Sequence, residues 1–223
     1  MDGVRLFTPA EAGAVSGLKL KAVHNAIDKR IVEPVETERA AAAGALKRAA
    51  PRFLTSEHLV LLRVWRGVGD TLSTERRHRL FFAIAAKPTA KTVKADDLLI
   101  VDVGEARKQV DQGVRDLEAA EAIVTRDKGI FGGEPMFKGT RIPVYGIAAM
   151  MAAGASDEDL LSGYPKLTGR MLGLAKIWAA AHPRRGRPKS LGDLGLKVKS
   201  SKRVSRKPDP HAGRSKSVTA AAG

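Results

Sequence analysis

The chain has 223 residues, 43% of them hydrophobic, and a formal net charge of +15; the length suffices for a buried core, and the charge favours phosphate-rich or acidic partners. Cysteine is absent, which excludes disulfides, thiolate metal sites and thiol catalysis and fits a reducing compartment. No apolar run approaches the ~18 residues that span a bilayer, and Met1-Asp2-Gly3-Val4-Arg5 lacks a signal-peptide pattern, so a cytoplasmic protein without membrane attachment is expected.

At the N-terminus, Thr8, Pro9 and Glu11 have the spacing of a capping box with proline at the first helical position. A helix to about Val15 follows, Ser16-Gly17 breaks it, and a second helix from about Leu18 to Lys29 sets Leu20, Val23 and Ile27 on one face. The opposite face carries Lys19, Lys21, His24, Asn25, Asp28 and Lys29, with Arg30 just beyond. Two short helices joined by a glycine turn, the second apolar inside and basic outside, form the arrangement whose second helix enters a major groove. A plain helical hairpin with a solvated face is the alternative.

Ile31 to Val35 and Arg52 to Leu54 read as short strands flanking an alanine-rich stretch, Ala40 to Ala50, that could form the tip of a wing or a loose helix; a wing would carry Arg39, Lys47, Arg48 and Arg52. Thr55 or Ser56 caps a helix to about Arg66, with Leu59, Leu62 and Trp65 near one face. Ser73 or Thr74 caps the next, to Ala86, whose Leu80, Phe81, Phe82 and Ile84 read as core. Arg76, Arg77 and Arg79 on that helix could contact phosphate or form a solvated face.

Residues 87–94 read as a linker and 98–101 as a strand. Val103, Ala106, Val110, Val114 and Leu117 then recur at helical intervals, an amphipathic stripe that could pack within its own chain or pair with a copy. Ile123-Val124 resumes extended structure. The stretch from Gly132 to Val144 holds Gly133, Pro135, Gly139 and Pro143, so it folds tightly between the extended pairs Met136-Phe137 and Ile142-Val144. Arg141 is expected to satisfy loop carbonyls rather than bind phosphate. Three helices follow: one to about Ala153, stopped by Gly154; one capped by Ser156; and one begun by Thr168, with Met171, Leu174, Ala175 and Trp178 on one face.

The charge is concentrated at the C-terminal end. Residues 183–223 carry 12 Lys/Arg against Asp193 and Asp209, a net of +10. Low hydrophobicity with Gly, Pro and Ser makes this a disordered basic tail that orders on binding. The expected fold is mainly α with short β-hairpins, divided as 1–86 (winged helix-turn-helix), 87–122 (linker, strand and amphipathic helix), 123–182 (a small helix-turn-helix-like domain) and 183–223 (tail).

Two resemblances sharpen these expectations. Phe7 to Arg30 resembles the helix-turn-helix of MerR-like winged-helix proteins through Glu11, Gly13, Gly17 and Val23, departing at Lys19, where a serine or threonine cap is usual. Gly133-x-Pro135, the run Lys138-Gly139-Thr140-Arg141-Ile142-Pro143-Val144, Gly154, Ser156 and Tyr164-Pro165-x-Leu167-Thr168 resemble the VapB-type antitoxin family over residues 123–181. That second resemblance implies a non-enzymatic antitoxin of a type II toxin–antitoxin system, which neutralises a PIN-domain ribonuclease toxin and represses its own operon, as a homodimer or a larger complex with the toxin. Arg184, Arg185, Arg187, Lys189, Leu191 and Leu194 would then meet the toxin, since arginine forks pair bidentately with the carboxylates of a Mg²⁺-dependent nuclease. A basic arm of this kind also suits a narrow minor groove. A stand-alone transcription regulator is the alternative. The five histidines are scattered, and no hydrolase, zinc or phosphate-loop motif is present, so neither catalysis nor a metal nor a cofactor is expected.

Overall fold

Capping chemistry written in the sequence sets most helix starts in the computed structural model, which describes residues 5–35, 52–69, 71–95 and 99–184. Thr8 and Glu11 close a capping box at the head of α1 (Pro9–Ser16), and Gly17 ends that helix at φ 75, a left-handed conformation costly to residues bearing a Cβ. α2 (Leu20–Asp28) starts at Lys19, whose side chain makes no capping bond. α3 (Ser56–Val68) and α4 (Thr74–Ala86) are capped by Thr55 and Ser73. β1 (Thr92–Lys94) pairs antiparallel with β2 (Ile100–Asp102), with Val93 opposite Val101. Asp102 caps the 20-residue α5 (Val103–Ala122). β3 (Val124–Thr125) pairs antiparallel with β4 (Met136–Phe137). α6 (Val144–Ala152), α7 (Asp157–Gly163) and α8 (Gly169–Ala181) complete eight α-helices among the described residues.

Helices α1, α5 and α8 pack on one another, with α3 against α1 and α5, and α6 and α7 against α8. Burial divides into two apolar clusters. One gathers Phe7, Val23, Leu54, Leu59, Leu62, Leu80 and the α5 stripe from Val103 to Leu117. The other gathers Phe137, Val144, Ile147, Leu160, Leu172 and Trp178. Both long helices serve both clusters, for Ala120 of α5 lies in the second and Ala181 of α8 in the first. All described residues belong to the unit Met1–Gly186. The α5 stripe is thus buried within its own chain. Among the described residues no helix is long and apolar enough to cross a membrane.

Several expectations change. The strands expected around a wing are single bridges, Phe7 to Leu54 and Val35 to Phe53; Arg39, Lys47 and Arg48 lie outside the described residues. Part of the expected linker is β1. Phe82 is 78% exposed, because Leu80, Phe81 and Ile84 take the buried side of α4 and position 82 turns about 200° from position 80. Arg77 bonds Thr74 and Arg79 pairs with Glu75 along the same helix.

The cap of α3 carries a pH dependence. Thr55 N donates to His58 Nδ1 at 3.2 Å, and burial holds the imidazole below its ordinary value of 6.5, against the smaller opposing pull of Glu57 and Glu33. Protonation places a hydrogen on the accepting nitrogen. Because the folded-state pKa is the lower one, the contribution of neutral His58 is complete above about pH 6.5 and is lost as pH falls through the folded value. The thermal midpoint of the native chain should therefore fall more between pH 7.5 and pH 5 than that of His58→Gln, in which glutamine keeps an acceptor at this position. Equal falls would show that the cap is not the titrating element.

Candidate functional site: the outer face of α2

α2 divides cleanly into two faces. Val23, Ala26 and Ile27 are buried, while Lys19, Lys21, His24, Asn25, Asp28, Lys29 and Arg30 are exposed. Positions 21, 24, 25 and 28 follow the 0, 3, 4, 7 rule, so one continuous outer stripe presents two amphoteric hydrogen-bonding groups between charges. Asp28, the acid on that stripe, is neutralised by Arg52 at 2.7 Å. Arg30 closes the helix at φ 53, and the Ile31 amide bonds back to Ala26 O at 2.8 Å, so the chain leaves α2 at a fixed angle. Of the six residues expected to meet DNA, Lys21, His24 and Asn25 lie on this stripe, while Lys19 and Lys29 are the caps of the helix and Arg30 follows it, all three exposed.

Two arginines that the sequence did not single out lie at the turn ahead of α2, one bonded to it and one beside it. Arg63 donates through Nη1 to Ser16 O at 3.3 Å and through Nε to Gln109 Oε1 at 2.6 Å. Burial, with Arg66 beside it, draws the Arg63 pKa down, and Glu105 opposes this. A Cβ on Gly17 would lie 2.0 Å from Arg66 Nη1, so glycine serves both the turn and the arginine's position. The i, i+3 spacing of 63 and 66 near the end of α3 was the available signal, but nothing local tied it to residue 17.

The central hairpin holds its shape through backbone and threonine. Gly139 has φ 74; the Thr140 amide and hydroxyl both donate to Phe137 O, and the hydroxyl accepts from Ile142 N at 3.1 Å. Pro135 O accepts from Val144 N at 3.0 Å, Gly133 has φ 83, and Pro143 stands at the N-cap of α6. The expected donor role of Arg141 passes to Thr140: Arg141 is exposed and has no hydrogen bond among the described residues. A two-atom hydroxyl reaches both groups of the turn, which a long guanidinium leaves behind.

Of the six residues expected to meet a toxin, only Arg184 lies among the described residues. It pairs with Glu134 and stands 4.5 Å over the Tyr145 ring, so it is engaged within the chain. Arg185, Arg187, Lys189, Leu191 and Leu194 lie outside the described residues. Tyr145 packs edge-on against Trp178 at 5.1 Å and donates to His182 O. Burial raises the Tyr145 pKa, opposed by Arg126 and Arg184.

Residues 124–177, the hairpin and its three helices, match the family described as "Protein of unknown function (DUF433)". A relative from Sinorhizobium fredii, named "Uncharacterized protein y4eO", is 32% identical over 215 residues, which are 89% of this chain and 92% of that protein. The chain belongs to this DUF433-containing family. A crystal structure of a DUF433 member protein from Anabaena variabilis is 26% identical over 50% of this chain and 91% of its own, with a TM-score of 0.27. The match at residues 124–177 overturns the VapB-type assignment, and the MerR-like assignment does not stand either. The physical reason lies in the motif. Glycine, threonine and proline at these spacings specify a tight turn leading into a helix, and a turn can be shared by unrelated lineages.

Proposed function

We propose that this DUF433 protein is a DNA-binding antitoxin, an autorepressor whose α2 enters the major groove of operator DNA and whose basic segment after residue 182 captures a ribonuclease with a carboxylate-lined active site. The observation that carries the reading is the exposure of Lys21, His24 and Asn25 on one stripe of α2 opposite the buried Val23, Ala26 and Ile27, with Lys19, Lys29 and Arg30 exposed at the helix ends. Asparagine reads adenine bidentately, and lysine reads guanine or holds phosphate. The nuclease arm is supported by charge: 12 Lys/Arg against two Asp in residues 183–223 suit a Mg²⁺-holding acidic groove, where guanidinium forks are strongest.

The experiment co-expresses the full chain with the product of its neighbouring gene. A stable complex with suppressed RNA cleavage is expected, and Arg185→Ser, Arg187→Ser and Lys189→Ser together should release the cleavage while specific operator binding persists. A neighbour that is no nuclease, or one that stays fully active in the complex, contradicts the antitoxin reading. Operator binding retained in that case would leave a stand-alone regulator.

A further inference from the structure

Three potential metal ligands far apart in sequence meet where α1, α5 and α8 join. Glu11 comes from the first turn of α1, Glu121 from the last turn of α5 and His182 from the residue that ends α8. One ligand atom from each lies within 4.8 Å of the other two, and all three residues are half-buried. We propose that Glu11, Glu121 and His182 form a binding site for one divalent transition-metal ion, which fastens the helix-turn-helix to the two long helices of the core.

Each ligand is already held by a neighbour. Glu11 Oε2 accepts the Thr8 amide at 2.6 Å, which leaves Oε1 for an ion. Both Glu121 oxygens lie 3.2 Å from Arg5 Nη2, and Arg5 also pairs with Glu118; a carboxylate has lone pairs enough to accept from arginine on one side and bind a cation on the other. His182 packs against Trp178 at 4.8 Å, and its Nε2 stands 3.9 Å from Glu121 Oε1. Supports of this kind orient ligands in metal sites. Ligands around a tetrahedral zinc sit about 3.4 Å apart, so binding draws the three ligand atoms in from their present spacing of up to 4.8 Å.

The donor set selects the ion class. Two carboxylate oxygens with one imidazole suit Zn²⁺ and its first-row neighbours, whereas Mg²⁺ and Ca²⁺ require more oxygens. With both carboxylates ionised and Arg5 beside them, the three ligands and Arg5 together carry one net negative charge, which a dication reverses.

The test uses the metal-stripped full chain titrated with Zn²⁺ alone, followed by calorimetry and by thermal midpoint. One equivalent should bind, and Zn²⁺ at a hundredfold over its dissociation constant should raise the midpoint by about 5–10 °C. Glu11→Gln keeps the capping hydrogen bond of α1 while removing the anionic ligand, and His182→Gln removes the imidazole; each should weaken binding at least tenfold. His24→Ala and His211→Ala should leave it unchanged. Absence of stoichiometric binding, or affinity untouched by both Glu11→Gln and His182→Gln, overturns the site, as does loss of binding in the His24 or His211 variant. DNA binding by α2 does not enter any of these readouts.

Discussion

A full chain carrying Lys21→Ala, Asn25→Ala and Lys29→Ala should lose about a thousandfold in affinity for its operator duplex while its thermal midpoint stays unchanged. The magnitude follows from one lost base contact at roughly 1–3 kcal/mol and two lost cationic contacts. The logarithmic salt slope should become shallower by about 0.9 for each phosphate contact removed. All three side chains are exposed, so their removal opens no cavity, and alanine is a good helix former. Fluorescence anisotropy across a salt series separates the two effects, with Arg170→Ala and Lys176→Ala on the exposed face of α8 as the matched control. Equal loss in the control would assign the binding to net charge, and unchanged binding in the α2 variant would remove α2 from the interface.

The second large effect concerns the joint that carries α2. Gly113 of α5 faces α1 so closely that a Cβ there would lie 2.9 Å from Val15 O, 3.1 Å from Val15 Cγ1 and 3.3 Å from Val15 Cα. Two of those atoms are backbone and cannot rotate aside. Gly113→Leu should therefore force α1 from α5 and destabilise the chain by about 3 kcal/mol, a fall of roughly 6–12 °C in thermal midpoint for a protein of this size. Gly173 is the internal control. It lies inside α8, is exposed and has nothing within 4 Å of a built Cβ, so Gly173→Ala should stabilise by about 0.5–1 kcal/mol through backbone entropy and helix propensity. Chemical denaturation of the three proteins checks the opposite signs. A tolerated Gly113→Leu would mean that α1 docks without close contact.

Much of the local structure was legible because its causes are local. Thr8 with Glu11, Ser73, Ser156 and Thr168 mark helix starts, and each side chain accepts the hydrogen bond its position implies. The stripe from Val103 to Leu117 and the turn at Gly139 follow in the same way from period and φ. What was missed depended on distance along the chain. β1 is three residues long and its partner strand begins only at Ile100, and alternation over three residues has no statistical weight. Phe82 was read as core because it sits within an apolar run, although helical geometry allows only one side of that run inward. The roles of Arg63 and Arg66 required α3 to be placed against residue 17. The meeting of Glu11, Glu121 and His182 required three helices to be placed at once; in the sequence Glu11 was a capping residue, His182 one of the scattered histidines, and nothing marked Glu121. Family was misread for a related reason, since the hairpin's residues report turn chemistry more faithfully than descent.

Selection from a random duplex library by the full chain at physiological salt tests whether α2 reads DNA sequence. Enrichment of a common motif is expected, and it should disappear when Lys21, Asn25 and Lys29 are alanine, with residual binding that is salt-sensitive and sequence-blind. Recovery of duplexes without any shared motif, or the same motif from the native and the substituted chain, would contradict it.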